Sequence, residues 1–302
     1  MKLHLGIKSD PIQKRYSYEW LFTIMKRLGI QYLQLGGFLE LPLLEDDFFY
    51  RLREKAGEKD IKIKSLFTAH REMSGFFNGD IHMEKAARFI YEKFINAGAL
   101  LGADYVGTSA GPVYLDMIDN RDRGIKCYFS HMKELMGLAK EKGLKGLSIE
   151  TMSSSIEFPT FPEEIDYFMR TLGEYHEKNR ESTVPAYLLG DISHGYADKN
   201  GKVVFSNYDQ FEHSIPYMCE FHFKNTDNIY NETFGFSEEE QARGIVELLR
   251  IKDIIFRNTD KWPVDNVTGY LEHPGPKLGR DYSDYRLESM LEESINALKN
   301  YF

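Results

Sequence analysis

The chain has 302 residues, 42% of them hydrophobic and 28% charged, and a net charge of −9. Those proportions belong to a globular protein and exclude disordered and fibrous classes. The acidic balance withholds the summed positive field that non-specific nucleic-acid binding needs, so small molecules are the expected partners and nucleic acid is not. Two cysteines, Cys127 and Cys219, are too few for a disulfide framework and fall outside any CxxC zinc spacing. With no leader-like opening and no uncharged apolar run of ~18 residues, a cytoplasmic protein independent of membranes is expected.

Along the chain, short β-rich runs alternate with longer helical stretches. Leu3–Ile7 opens as a strand, and Tyr18–Leu28 follows as a helix that Gly29 can cap. Gln31–Gly36 reads as the second strand, Asp47–Lys59 as a charged helix, and Ile61–Phe67 as a third strand of period two. Ala87, Ile90, Phe94, Ala97 and Leu101 then step along one helix face. Asp104–Thr108 is the fourth strand, and Phe129, Met132, Met136 and Ala139 mark a helix ended by Gly143. Leu144–Ile149 is the fifth, followed by a helix over Pro162–Lys178 whose proline and two glutamates suit a first turn.

Ala186–Gly190 is the sixth strand, with a helix around Tyr208–Tyr217. Glu220–Lys224 is the seventh, with a helix over Ser237–Leu249 that opens on a Ser237/Glu240 capping box. Val267–Leu271 is the eighth, and Leu287, Leu291, Ile295, Leu298 and Phe302 form the face of a closing helix. Eight β-then-α units point to parallel strands with helical crossovers. An open doubly wound sheet would carry a Gly-rich phosphate loop after its first strand, where Ser9-Asp10-Pro11 stands instead. The expected fold is therefore a single (β/α)8 TIM barrel over residues 1–302.

Active sites of such barrels lie at the C-terminal strand ends. The fifth strand ends at Glu150, the sixth at Asp191, the seventh carries His222, and the eighth runs into Glu272. Singly, each carboxylate has a plain alternative as a helix cap or rim charge, and His222 as a core histidine. Jointly, four ligand-type residues on four successive strands suit one divalent ion, Mn²⁺ first, with Co²⁺, Mg²⁺ or Zn²⁺ also able to fill it. Period two puts His222 and Lys224 on one face of their strand and Phe221 and Phe223 on the other. The chain must turn after Asp191 to bring His194 to the same side, which Gly190 and Gly195 make feasible.

These residues carry a resemblance to the xylose-isomerase-like TIM-barrel superfamily, densest over Leu144–Pro274 and most like its ketose 3-epimerase branch. The resemblance implies that Glu150, Asp191, His222 and Glu272 hold one metal, that Glu150 and Glu272 are also the acid/base pair, and that His194 contacts substrate. It further implies a homo-oligomer, a dimer or tetramer. Asn228 stands where that branch has a substrate-binding Arg, and Glu220-Phe221 precedes His222 where it has His-x-His. Lys224 can supply the missing positive charge or be a salt-bridged lysine of the barrel. Lys8, His70, Arg71, Lys277 and Arg280 could hold a substrate phosphate or form only a solvated rim. Phe38, Phe67 and Tyr270 could floor a sugar pocket or be packing.

A divalent ion chelated by adjacent sugar oxygens stabilises an enediolate as it forms. One carboxylate can remove the proton and a second return it, to the same carbon in epimerisation or to its neighbour in isomerisation. The expected function is a metal-dependent isomerase or epimerase of sugars or sugar phosphates. A metal-dependent dehydratase, an endonuclease IV-like phosphodiesterase and a non-catalytic sugar-binding protein remain as alternatives.

Overall fold

The computed structural model describes residues 1–37, 40–68, 75–277, 281–283 and 285–302. Its strands are β1 (Lys2–Lys8), β2 (Tyr32–Gly36), β3 (Lys62–Thr68), β4 (Tyr105–Ser109), β5 (Gly146–Glu150), β6 (Ala186–Asp191), β7 (Tyr196–Ala197), β8 (Val203–Phe205), β9 (Met218–Phe223) and β10 (Asn266–Leu271). The helices are α1 (Tyr18–Arg27), α2 (Asp46–Gly57), α3 (Ile81–Leu101), α4 (Arg121–Glu141), α5 (Pro162–Lys178), α6 (Asn207–Ser214), α7 (Glu238–Arg243), α8 (Leu248–Arg257) and α9 (Leu287–Lys299). Eight parallel strands are hydrogen bonded in the closed order β1-β10-β9-β6-β5-β4-β3-β2, which is a (β/α)8 barrel. The antiparallel β7–β8 pair lies outside that ring.

The chain packs as two compact units. One comprises Met1–Gly36, Arg51–Ile63 and Gly190–Phe302; the other comprises Gly37–Tyr50 and Lys64–Leu189. In the first, β1 pairs with both β2 and β10, and β10 pairs with β9. Phe221 and Phe223 leave β9 on its outer face, where they meet Phe211 at 5.3 Å and Phe302 at 4.9 Å between ring centroids. Gly269 on β10 admits these rings, since a Cβ there would come within 2.3 Å of Phe223. In the second unit, β4 and β5 are buried throughout, as a parallel strand covered on both faces should be.

Most predicted elements stand within a few residues of their places, and α5 spans the predicted Pro162–Lys178. Four details differ. The helix expected over Ser237–Leu249 is broken into α7 and α8. The capping box forms, but the Ile245 N–H donates to the Thr226 carbonyl and the Val246 N–H to Asn225 Oδ1. That loop after β9 takes the donors a continuous helix would use. The buried face of α3 is carried by Tyr91 rather than Ile90, which is only half-buried. Phe302 lies beyond α9, and the β7–β8 hairpin was not anticipated.

Candidate active site

The site is built at the C-terminal ends of the strands of the first unit. Lys8 is the last residue of β1, Asp191 the last of β6, and Glu272 follows β10 directly. His222 and Glu220 point from β9 to the face opposite Phe221 and Phe223. All of these are buried.

The tautomer of His222 follows from its neighbours. Gln34 on β2 donates its amide nitrogen to Glu220 Oε1 at 3.4 Å, which turns its carbonyl oxygen toward His222 Nε2 at 2.7 Å. An oxygen there can only accept, so Nε2 carries a hydrogen, and in the neutral imidazole Nδ1 keeps its lone pair. Nδ1 faces two carboxylate oxygens, Glu272 Oε2 at 3.3 Å and Asp191 Oδ2 at 3.9 Å. Neither oxygen accepts a well-aligned hydrogen bond among the described residues. Three electron-pair donors thus converge on one point. Metal-binding imidazoles are oriented in this way, with the second ring nitrogen committed to a fixed acceptor.

Two buried ammonium groups supply the opposing charge. Lys8 pairs with Glu272 Oε1, and with Asp10 at 2.8 Å. Lys224, just past β9, lies 2.7 Å from Asp191 Oδ2, 3.5 Å from Glu272 Oε2 and 2.8 Å from His194 Nε2. Burial opposes the charge on Glu272, yet the positive charges around it, His222 when its ring is protonated and the Lys8 and Lys224 ammonium groups, hold its carboxyl well below the usual range. Burial likewise opposes the charge on Asp191, and His194 and Lys224 overcome it.

The turn after Asp191 is made by the aspartate itself, whose Oδ1 accepts from both the Ser193 N–H and its hydroxyl at 2.7 Å. His194 Nε2 is thereby returned to 3.4 Å from Asp191 Oδ2. Neither Gly190 nor Gly195 takes a left-handed backbone conformation. They allow close approach instead, because a Cβ at Gly190 would fall 1.9 Å from Met218 Sδ.

Asp191, His194, His222, Lys224 and Glu272 are therefore brought together. Glu150 is the buried last residue of β5, paired in register with Leu189, two residues before Asp191. The rim alternative fails for Lys8, which is 1% exposed and ion-paired. Lys277 is exposed, as a rim residue is, while Phe38, His70, Arg71 and Arg280 lie outside the described residues. Phe67 and Tyr270 are fully buried, and the Tyr270 ring fills the space a Cβ on Gly6 would need. Gln34 and Glu220 were not anticipated as site residues. The only sign of them is a polar side chain within an otherwise apolar strand.

Among solved structures, a candidate xylose isomerase from Rhodospirillum rubrum ATCC 11170 superposes with a TM-score of 0.78 at 19% identity, covering 99% of both chains. The fold is that of the xylose-isomerase-like barrels. D-Psicose 3-epimerase from Clostridium cellulolyticum H10, solved with D-tagatose, gives 0.69 at 15% identity over 100% of this chain and 98% of its own. A 3-DHS dehydratase candidate involved in petrobactin synthesis, from Bacillus anthracis, gives 0.64 at 17% identity over the whole of both chains. At these identities the likeness concerns the fold alone. No protein-family model and no curated protein sequence matches the chain.

Proposed function

We propose that this protein is a carbohydrate isomerase or epimerase that uses one divalent ion held by Glu150, Asp191, His222 and Glu272. The observation that carries the proposal is the convergence of His222 Nδ1, Asp191 Oδ2 and Glu272 Oε2 while Gln34 occupies the other imidazole nitrogen. A set of carboxylate oxygens with one imidazole suits Mn²⁺, Co²⁺, Mg²⁺ or Zn²⁺. When bound, such an ion supplies Lewis acidity to adjacent carbonyl and hydroxyl oxygens of a sugar.

The chain's own groups divide the remaining work. Glu272 is kept ionised, the form that accepts a proton, and Lys8 fixes its Oε1. So low a pKa makes it a weak base, and the substrate carbon must be correspondingly acidified. Glu150 acts as the second proton carrier in this reading. Lys224 and His194 orient substrate oxygens, the ammonium lying 2.8 Å from the imidazole Nε2. The dehydratase-like fold neighbour makes loss of water the second reading.

Incubation with a panel of free and phosphorylated ketoses in deuterated water tests the proposal by product mass. Deuterium should enter at a carbon next to the carbonyl, with no atoms otherwise gained or lost. Glu150→Gln and Glu272→Gln should each lose at least ~10²-fold in rate, the lower end for general acid–base catalysis. Product lighter by one water would establish the lyase reading. Unlabelled product together with near-normal Gln variants would reject proton transfer by these residues.

A further inference from the structure

A second group of ligand-type side chains lies in the other unit, on two helices. Glu84 is in the first turn of α3, and Cys127 and His131 are four residues apart on α4, so both face the same way. Their carboxylate oxygen, sulfur and imidazole nitrogen all lie within 4.8 Å of one another. Glu84 Oε1 is 2.7 Å from His131 Nε2, and burial and the neighbouring Glu84 carboxylate push the pKa of the Cys127 thiol up to about 11. Phe76 stacks on the His131 ring at 4.6 Å and 28°, which sets the imidazole plane. All three residues are half-buried, leaving one side open to water.

We propose that Glu84, Cys127 and His131 form a second cation site, for Zn²⁺ or another divalent ion that favours sulfur. Thiolate, imidazole and carboxylate with one water make the four-coordinate set typical of zinc. This site differs in chemistry from the strand-end cluster, whose donors are oxygen and nitrogen only. Binding one ion releases the thiol proton to solvent, and the imidazole proton moves from Nε2 to Nδ1. That shift works against Arg88, whose guanidinium lies 3.4 Å from Nδ1. Arg88 retains Glu92 at 2.6 Å and Glu134 at 2.7 Å as partners, so it can withdraw without losing its charge pairing. The ion would clip α3 to α4.

Cobalt distinguishes this site from the strand-end one, because only a thiolate gives a sulfur-to-cobalt charge-transfer band. The metal-stripped full chain, titrated with Co²⁺, should develop that band and saturate at one sulfur-bound ion. Cys127→Ser should abolish it, Glu84→Gln should weaken Co²⁺ binding at this site at least ~10-fold, and His222→Ala should leave it unchanged. In a His222→Ala background, Zn²⁺ should raise the melting temperature, and adding Cys127→Ser should remove that rise. No band in the folded parent chain, or a band surviving Cys127→Ser and hence arising at Cys219, would overturn the proposal.

Discussion

The strand-end cluster and the α3–α4 cluster use similar residue types under opposite conditions of burial. At the strand ends, Asp191, His222 and Glu272 have almost no contact with water, and two lysines are folded in with them. On the helices, Glu84, Cys127 and His131 are half-buried, Glu84 is hydrogen bonded to His131, and the nearby cation, Arg88, is itself partly exposed. An ionised carboxylate removed from water must find positive charge or give up its own, whereas a half-exposed one can rely on solvent. The first cluster therefore requires cations in every state of the protein. The second can bind one or do without.

That contrast predicts unequal responses to similar substitutions. Lys8→Met strips Glu272 and Asp10 of a buried partner, and should destabilise the metal-free chain by ~3–5 kcal/mol. Mn²⁺ should restore part of the loss by supplying charge to the same carboxylate. Glu84→Gln removes one partner of a half-exposed pair and should cost less than ~1 kcal/mol. Denaturant unfolding of the two variants, with and without Mn²⁺, checks both numbers. Equal losses would show that burial does not separate the two regions.

A smaller effect isolates the support of one ligand. Gln34→Leu leaves His222 in place but removes the acceptor that fixes its hydrogen on Nε2. Metal affinity at the strand ends should fall by ~10–100-fold, as for other groups that orient a ligating imidazole. Isothermal titration with Mn²⁺ measures this. An unchanged affinity would mean that the Glu220–Gln34–His222 chain plays no part in holding metal.

Much of this arrangement was legible in the sequence because strand ends and period two are local features. That four strands end near Glu150, Asp191, His222 and Glu272 can be read from the sequence alone, and alternation along β9 separates His222 from Phe221 and Phe223. What stayed hidden depends on partners far away in the chain. Lys8 reads as a rim charge until Glu272, 264 residues later, closes on it. Gln34 reads as a polar interruption of a strand until Glu220 and His222 arrive 186 and 188 residues later. The break between α7 and α8 has the same origin, since Asn225 and Thr226 compete for backbone donors that periodicity assigns to a helix.

Anomalous diffraction from crystals grown with Mn²⁺ tests the central claim most directly. The account predicts a single strong peak at the strand ends, within ligand distance of His222 Nδ1, Asp191 Oδ2, Glu272 Oε2 and a Glu150 oxygen. The Lys224 ammonium should then have moved off Asp191 Oδ2 toward His194. Saturating Mn²⁺ with no peak there, and Lys224 still 2.7 Å from Asp191, would contradict it. In that case the lysine, and not a metal, would be the cation the cluster is built to hold.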